Sequence, residues 1–206
     1  MTVIMYTLAW RTQVEGGRVR VSRERAAQNR ERILEAAAQL FRERGFDGLG
    51  VADLMSAVGL THGGFYGHFS SKEDLMAQAC ERAVARSYQA WSKQVDRSPA
   101  DPLRPIARGY LSNRHRDDPG AGCLLAALGS DLARQGPGVR RAVTEGIRGS
   151  IDLLARLIPA HSSKKRQSAI TAYAGWVGAM IMARAVDDPA LSREILDAVL
   201  ASSTKS

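Results

Sequence analysis

Apolar residues recur at helical spacing along most of the chain. In "VSRERAAQNRERILEAAAQLFRERG", residues 21–45, Ile33, Leu34, Ala37, Leu40 and Phe41 fall on one face of a 3.6-residue period, with Arg and Glu filling the other. Ser22 stands where an N-cap belongs, and Gly45 follows Arg42 and Arg44 where a helix stops. This predicts a helix beginning near Ser22. A shorter one runs from about Val51 to Val58, with Leu54, Met55 and Val58 apolar, and Gly59 ends it in a tight turn with Leu60. A third segment, Thr61 to Phe69, carries Phe65, Tyr66 and Phe69 but also Gly63, Gly64 and Gly67. Glycine costs about 1 kcal/mol relative to alanine in a helix interior. Three of them within five positions call for a reason that local propensity does not supply.

Downstream, Ser71 caps a long helix to about Asp96, with Glu73 and Asp74 in its first turn. Pro99, Pro102 and Pro105 then break the pattern. Further helices are predicted over about 105–116, 123–134, 139–157, 163–186 and 189–201, the last with Asp188 as cap and Pro189 at its first position. β-Branched runs, internal repeats and sustained heptads are missing. The fold class is all-α: an N-terminal three-helix unit followed by a larger C-terminal helical domain.

Composition adds bounds. At 206 residues, 45% hydrophobic and 24% charged, the chain has the make-up of a soluble globular protein. Its two cysteines, Cys80 and Cys123, are too few for a disulfide scaffold and fit a reducing compartment. The opening "MTVIMYTLAW" is too short to span a bilayer and has no basic residue before its apolar run, so a cytoplasmic protein with no membrane partner is expected. The net charge of +8 says little by itself. Its local form says more: residues 11–32 hold seven arginines (Arg11, Arg18, Arg20, Arg23, Arg25, Arg30, Arg32) against three glutamates (Glu15, Glu24, Glu31).

Two short helices joined by a glycine turn, behind a longer packing helix, make a helix-turn-helix by pattern, although a plain helical hairpin has the same outline. The residues themselves narrow the choice. "RILEAAAQLFRERGFDG…VADLMSAVGLTHGGFYGHFSSKEDL", about residues 32–75, closely resembles the DNA-binding domain of the tetracycline-repressor (TetR) family. The Ala-x-x-Leu-Phe of the first helix, "RGF", the Asp-Leu of the second helix, "VGL", "FYGHF" and "SKEDL" match in order and spacing. Gly50 stands where that family usually has Ser or Thr, and Met55 where it usually has Ala.

The resemblance implies a helix-turn-helix DNA-binding domain over 21–70, a ligand-binding and dimerisation domain over 71–206, and a transcriptional repressor released from its operator by a small-molecule effector. Carried over by position, Thr61, His62, Gly63, Gly64 and Gly67 lie on the groove-facing side of the recognition helix. Tyr66 and Lys72 hold phosphates, and His68 either sits beside the DNA backbone or only orients the helix. Phe65 and Phe69, four apart, pack inward. Without side chains at 63, 64 and 67 the backbone can approach the groove floor closely, leaving readout to Thr61, His62, phosphate positioning and DNA shape. A loosely formed helix that orders on DNA is the alternative. Residues 1–20 lie outside the resemblance and are expected to form a flexible basic arm; Arg18, Arg20, Arg23 and Arg25 either reach the DNA or belong to a solvated leader.

In the second domain no phosphate loop, His-Glu-x-x-His or Cys-x-x-Cys is found, so neither an enzyme nor a cofactor or metal is expected. The resemblance implies a homodimer through the last two long helices, which suits an approximately palindromic double-stranded operator. Ala169, Ala172, Gly175, Ala179 and Ala183 form a small-residue strip beside Trp176, Met180 and Ile181, serving either the dimer or the subunit's own packing. Effector-binding candidates are Trp91, Tyr110, Cys123, Leu125, Leu128, Trp176 and Met180, each with core packing as the alternative. Cys123 opens a helix, where the dipole favours a thiolate. It is either a redox- or electrophile-sensing residue or a buried, inert one. A helical ligand-binding protein with a vestigial DNA-binding domain is the remaining alternative.

Overall fold

The structure is a computed structural model that describes residues 4–158 and 164–203, with side chains from Ser22 onward in the first segment. Among the described residues every regular element is a helix: α1 (Ile4–Arg44), α2 (Val51–Ala57), a 3-10 helix (His62–Gly67), α3 (Lys72–Arg97), α4 (Leu103–Tyr110), α5 (Asn113–Asp117), α6 (Leu124–Leu132), α7 (Pro137–Leu157), α8 (Lys165–Ala185) and α9 (Pro189–Ser203). None of them is long and apolar enough to cross a membrane.

The first unit is built as its periodicity indicates. Ile33, Leu34, Ala37 and Phe41 of α1 are buried against Phe46, Leu49, Leu54, Met55, Phe65 and Phe69. α2 ends in a Schellman motif, in which Leu60 N–H meets the Met55 carbonyl and Gly59 N–H the Ser56 carbonyl, both at 2.9 Å. Gly59 takes φ +68°, a conformation that strains any residue with a Cβ. Gly50 caps α2 without a side chain, and its N–H is met at 3.2 Å by Asp53 Oδ2.

Two expectations are corrected here. Ser22 does not start α1, which is already helical from Ile4. A good cap favours a start but does not force one, and no proline interrupts the chain before Pro99. The arm expected over residues 1–20 therefore lies on this helix from Ile4 on, and the side chains of Arg18 and Arg20 fall outside the described residues. The single helix expected over 105–116 is two, α4 and α5. Ser112 breaks it by donating its hydroxyl to the Gly109 carbonyl and accepting His115 N–H, capping α5.

Two apolar clusters form the core. The first runs from the α1–α2 unit into Leu75, Met76, Ala79 and Cys80 of α3 and on to α6 and α7 (Leu124, Leu128, Leu132, Val139, Val143), so packing is continuous across residue 70. The second gathers Ile106, Tyr110, Leu154, Tyr173, Trp176, Met180 and Leu196 from α4, α7, α8 and α9.

Candidate nucleic-acid interface and cavity

The segment 61–69 presents one face to the core and one outward. Phe65 and Phe69 are buried with ring centroids 5.7 Å apart, and Arg30 lies over the Phe69 ring at 5.1 Å. Thr61, His62, Gly63, Gly64, Tyr66 and Gly67 are exposed and His68 is half-buried. Tyr66 is 65% exposed and stands edge-on to His62. The stretch is a 3-10 helix rather than the expected α-helix, capped by Thr61, whose carbonyl accepts Gly64 N–H at 3.0 Å. Three glycines in six residues leave the longer α-helical ladder little local support.

The glycines have no internal explanation. A Cβ built on Gly63 or Gly67 meets nothing within 4 Å, and one on Gly64 makes only ordinary contacts with Thr61 and Met55. Positive φ among the described glycines occurs at Gly45 and Gly59 and not at these three. Neither packing nor backbone conformation of the subunit excludes side chains there.

Lys72 opens α3 next to this face, and its Nζ donates to the Phe46 carbonyl at 2.7 Å. Two of its three hydrogens remain for other acceptors. Behind it, Ser71 Oγ accepts Asp74 N–H at 3.0 Å, while Asp74 accepts from Gln78 and from both Ser70 donors. These bonds hold the Asp74 carboxyl below its ordinary range, the Gln78 amide first among them.

Where α1, α3, α4, α5 and the turn before α6 meet, a cavity of about 490 Å3 opens, within the size range of small-molecule sites. Of the effector candidates, Trp91, Tyr110 and Cys123 border it. The other four do not. Leu128 belongs to the first apolar cluster, Leu125 packs between the two, and Trp176 and Met180 are wholly buried in the second, with Trp176 packed against both Trp91 and Tyr110. Apolar character marked them equally well for core or cavity, and packing placed them in the core.

Polar residues make up much of the wall: Arg42, Arg86, Gln94, His115 and Asp118 all border it. None is among the effector candidates that the sequence offers. Arg42 carried one signal, continuing the buried row of Leu34 and Ala38 at four-residue steps. Its Nε meets the Gly120 carbonyl at 2.8 Å, tying α1 to the turn before α6, and burial lowers its pKa first, with the Arg86 charge adding to the effect. Cys123 is buried at the start of α6, its sulfur 4.0 Å from the Tyr173 hydroxyl. Burial raises the Tyr110 hydroxyl well above its ordinary range, and Cys123 and Tyr173 beside it act in the same direction.

On α8 the small-residue strip mostly turns inward: Ala169, Ala179 and Ala183 are buried with Trp176 and Met180, Ala172 is half-buried and Gly175 exposed, whereas Ile170, Ala174, Ile181 and Ala185 lie on the outward face. Ile170 and Ile181 are each 44% exposed, Met182 56%, and Leu191 of α9 41%.

Residues 33–79 match the family model described as "Bacterial regulatory proteins, tetR family". Along the sequence the chain is 27% identical over 166 residues to the HTH-type transcriptional repressor NemR of Escherichia coli (strain K12), covering 75% of this chain and 83% of that protein. The crystal structure of the reduced form of E. coli NemR superposes with a TM-score of 0.75, covering 86% of this chain and 95% of that one. A TetR-family transcriptional regulator from Agrobacterium tumefaciens shares the fold at 23% identity, with a TM-score of 0.73 over 86% of this chain and 98% of its own.

Proposed function

Because the chain belongs to the tetR family of bacterial regulatory proteins, we propose that it is a homodimeric transcriptional repressor that leaves its operator when a small molecule fills the cavity between α1, α3, α4 and α5. The observation that carries the DNA half of this reading is the open space at Gly63 and Gly67. Side chains fit there within the subunit, so no constraint inside it calls for glycine. A duplex approached closely by the 3-10 helix backbone supplies one from outside. Thr61 and His62 then meet base edges, and Tyr66 and Lys72 meet phosphates on either side. Residues 21–70 form the DNA-binding domain in this reading, and 71–206 carry effector binding and dimerisation.

The outward face of α8 with Leu191 of α9 supports the homodimer, since it is apolar, helical in spacing and uncovered in one subunit. One recognition helix per subunit and a two-fold axis require an operator of approximate two-fold symmetry. Selection of duplexes from a random pool by the purified protein tests the reading. Enrichment of paired, inverted half-sites is expected; only single asymmetric sites, or no sequence preference at low salt, overturns it.

A further inference from the structure

The cavity holds a buried charge with no direct ion pair among the described residues, Glu35 and Asp118 acting on it only from a distance. Arg42 is 5% exposed, and its Nε and Nη2 both serve the single carbonyl oxygen of Gly120. Its Nη1 has no hydrogen-bond partner, and no carboxylate ion-pairs with it among the described residues. Tyr110, also 5% exposed, offers its hydroxyl no oxygen or nitrogen acceptor, only the weakly accepting sulfur of Cys123 beside it. Both residues border the cavity. A buried guanidinium with no carboxylate in direct contact and a buried hydroxyl with no oxygen or nitrogen acceptor are each unfavourable, and a single anionic ligand relieves both.

The surrounding groups agree in sign. Arg86 borders the same space, engaged by Glu35 of α1, and Arg114 stands exposed at its edge. Asp118 is the one carboxylate among the lining residues, and its Oδ1 is occupied by Ala121 N–H at 3.0 Å. The rest of the wall is mixed, with Ser87, Gln94 and His115 beside the apolar Ala83, Trp91 and Ile106.

We propose that the effector is a small organic acid, its apolar body against Trp91, Ile106 and Tyr173 and its carboxylate on the Arg42 guanidinium, with the Tyr110 hydroxyl as a further donor. The inference rests on the reading of this cavity as the effector site, and it assigns the ligand's chemical class. It also connects the ligand to the DNA-binding unit. Arg42 belongs to α1, whose neighbouring residues Ala38 and Phe41 lie in the same apolar cluster as Phe65 and Phe69, so the anion is held by the helix on which the 3-10 segment packs.

The test uses the full chain with a matched pair of probes, 1-naphthaleneacetate and 1-naphthaleneacetamide, titrated calorimetrically at neutral pH. The acid is expected to bind at least about tenfold more tightly than the amide, as charge-assisted pairing with a buried guanidinium requires. In Arg42→Gln that preference should fall to about one, and Tyr110→Phe should weaken the acid while sparing the amide. Arg114→Gln should leave the preference intact. Equal or tighter binding of the amide by the wild-type protein overturns the proposal, as does failure of both probes to bind. The wild-type pair decides the matter even where Arg42→Gln does not fold. Displacement of selected DNA, measured alongside, separates this proposal from the function it rests on. Acid-selective binding without DNA release supports the ligand class and sinks the effector reading, whereas release by acid and amide alike does the reverse.

Discussion

The imidazole Nε2 of His115 accepts the backbone N–H of Cys123 at 2.8 Å. On the other side of the ring, Nδ1 lies 2.6 Å from the Tyr110 carbonyl, an oxygen that can only accept. The proton therefore sits on Nδ1 and the lone pair on Nε2, and the ring is neutral. Its pKa is lowered, by burial first, with the Arg184 charge acting in the same direction and the Tyr110 carbonyl and Asp118 opposing. A protonated ring would set a second N–H against that of Cys123 and loosen the start of α6.

Stability should consequently fall on the acid side. Where the folded-state pKa of a histidine lies below its unfolded value, the unfolded chain binds more protons, so this contribution is complete above about pH 6.5 and is lost as pH drops from there through the lowered folded value. Urea unfolding of wild type and His115→Phe across this range checks it. The variant should lose about 1–3 kcal/mol at pH 8, from the unmatched Cys123 N–H and Tyr110 carbonyl, and show a shallower decline towards pH 5. An unchanged pH slope would assign the decline to other groups.

Replacing Gly67 should separate stability from DNA affinity. A Cβ there meets nothing within 4 Å, so Gly67→Leu should fold normally and gain up to about 1 kcal/mol from reduced freedom of the unfolded chain. Operator affinity should collapse, because the added side chain stands between backbone and groove. Retained affinity in a gel-shift titration would show that position 67 does not face the duplex.

Phosphate anchoring predicts uniform losses. Tyr66→Phe should weaken binding to all sequences alike with no change in unfolding midpoint, since the ring is 65% exposed. Lys72→Met should lower the salt slope of binding by about one. It should also cost stability of about 1 kcal/mol, because the Phe46 carbonyl loses its partner. A change of sequence preference in either variant would contradict a phosphate role.

The exposed face of α8 gives a test of assembly. Ile181→Glu, at a site 44% exposed, should leave a folded monomer by analytical ultracentrifugation and weaken binding to a two-fold site by about a hundredfold or more through lost avidity. Met180→Glu, one residue away and wholly buried, should unfold the chain instead. A dimer that survives Ile181→Glu places the interface elsewhere.

The two cysteines should differ in their response to alkylation. Cys80 lies inside the first cluster, where burial pushes its thiol up to about 12, and it should resist labelling until the protein unfolds. Cys123 borders the cavity, so a small electrophile that enters should label it slowly in the native state, and a bound ligand should protect it. Timed alkylation with mass spectrometry checks both. Fast labelling of Cys123 coupled to release from DNA would make it a sensor instead.

Much of this protein was legible in its sequence wherever a few neighbouring residues carry the decision. The period of Ile33, Leu34, Ala37 and Phe41, the Gly59 turn, the Ser71 cap and the inward pair Phe65 and Phe69 depend on spacing and backbone conformation, which a chain specifies locally. The order of motifs from Ala37 to Leu75 likewise carries the family resemblance, which the match over residues 33–79 bears out. Tertiary structure alone decided the rest. Whether Trp176 and Met180 line a cavity or fill a core depends on how α8 is turned against α4, and the same rotation buried Ala169, Ala179 and Ala183 while leaving Gly175 exposed. The cavity's charge depends on Arg42 meeting a carbonyl 78 residues away, and the tautomer of His115 on two backbone groups that only the turn before α6 brings together. Burial and partnership of a polar group belong to the arrangement of distant helices, so no local pattern announces them.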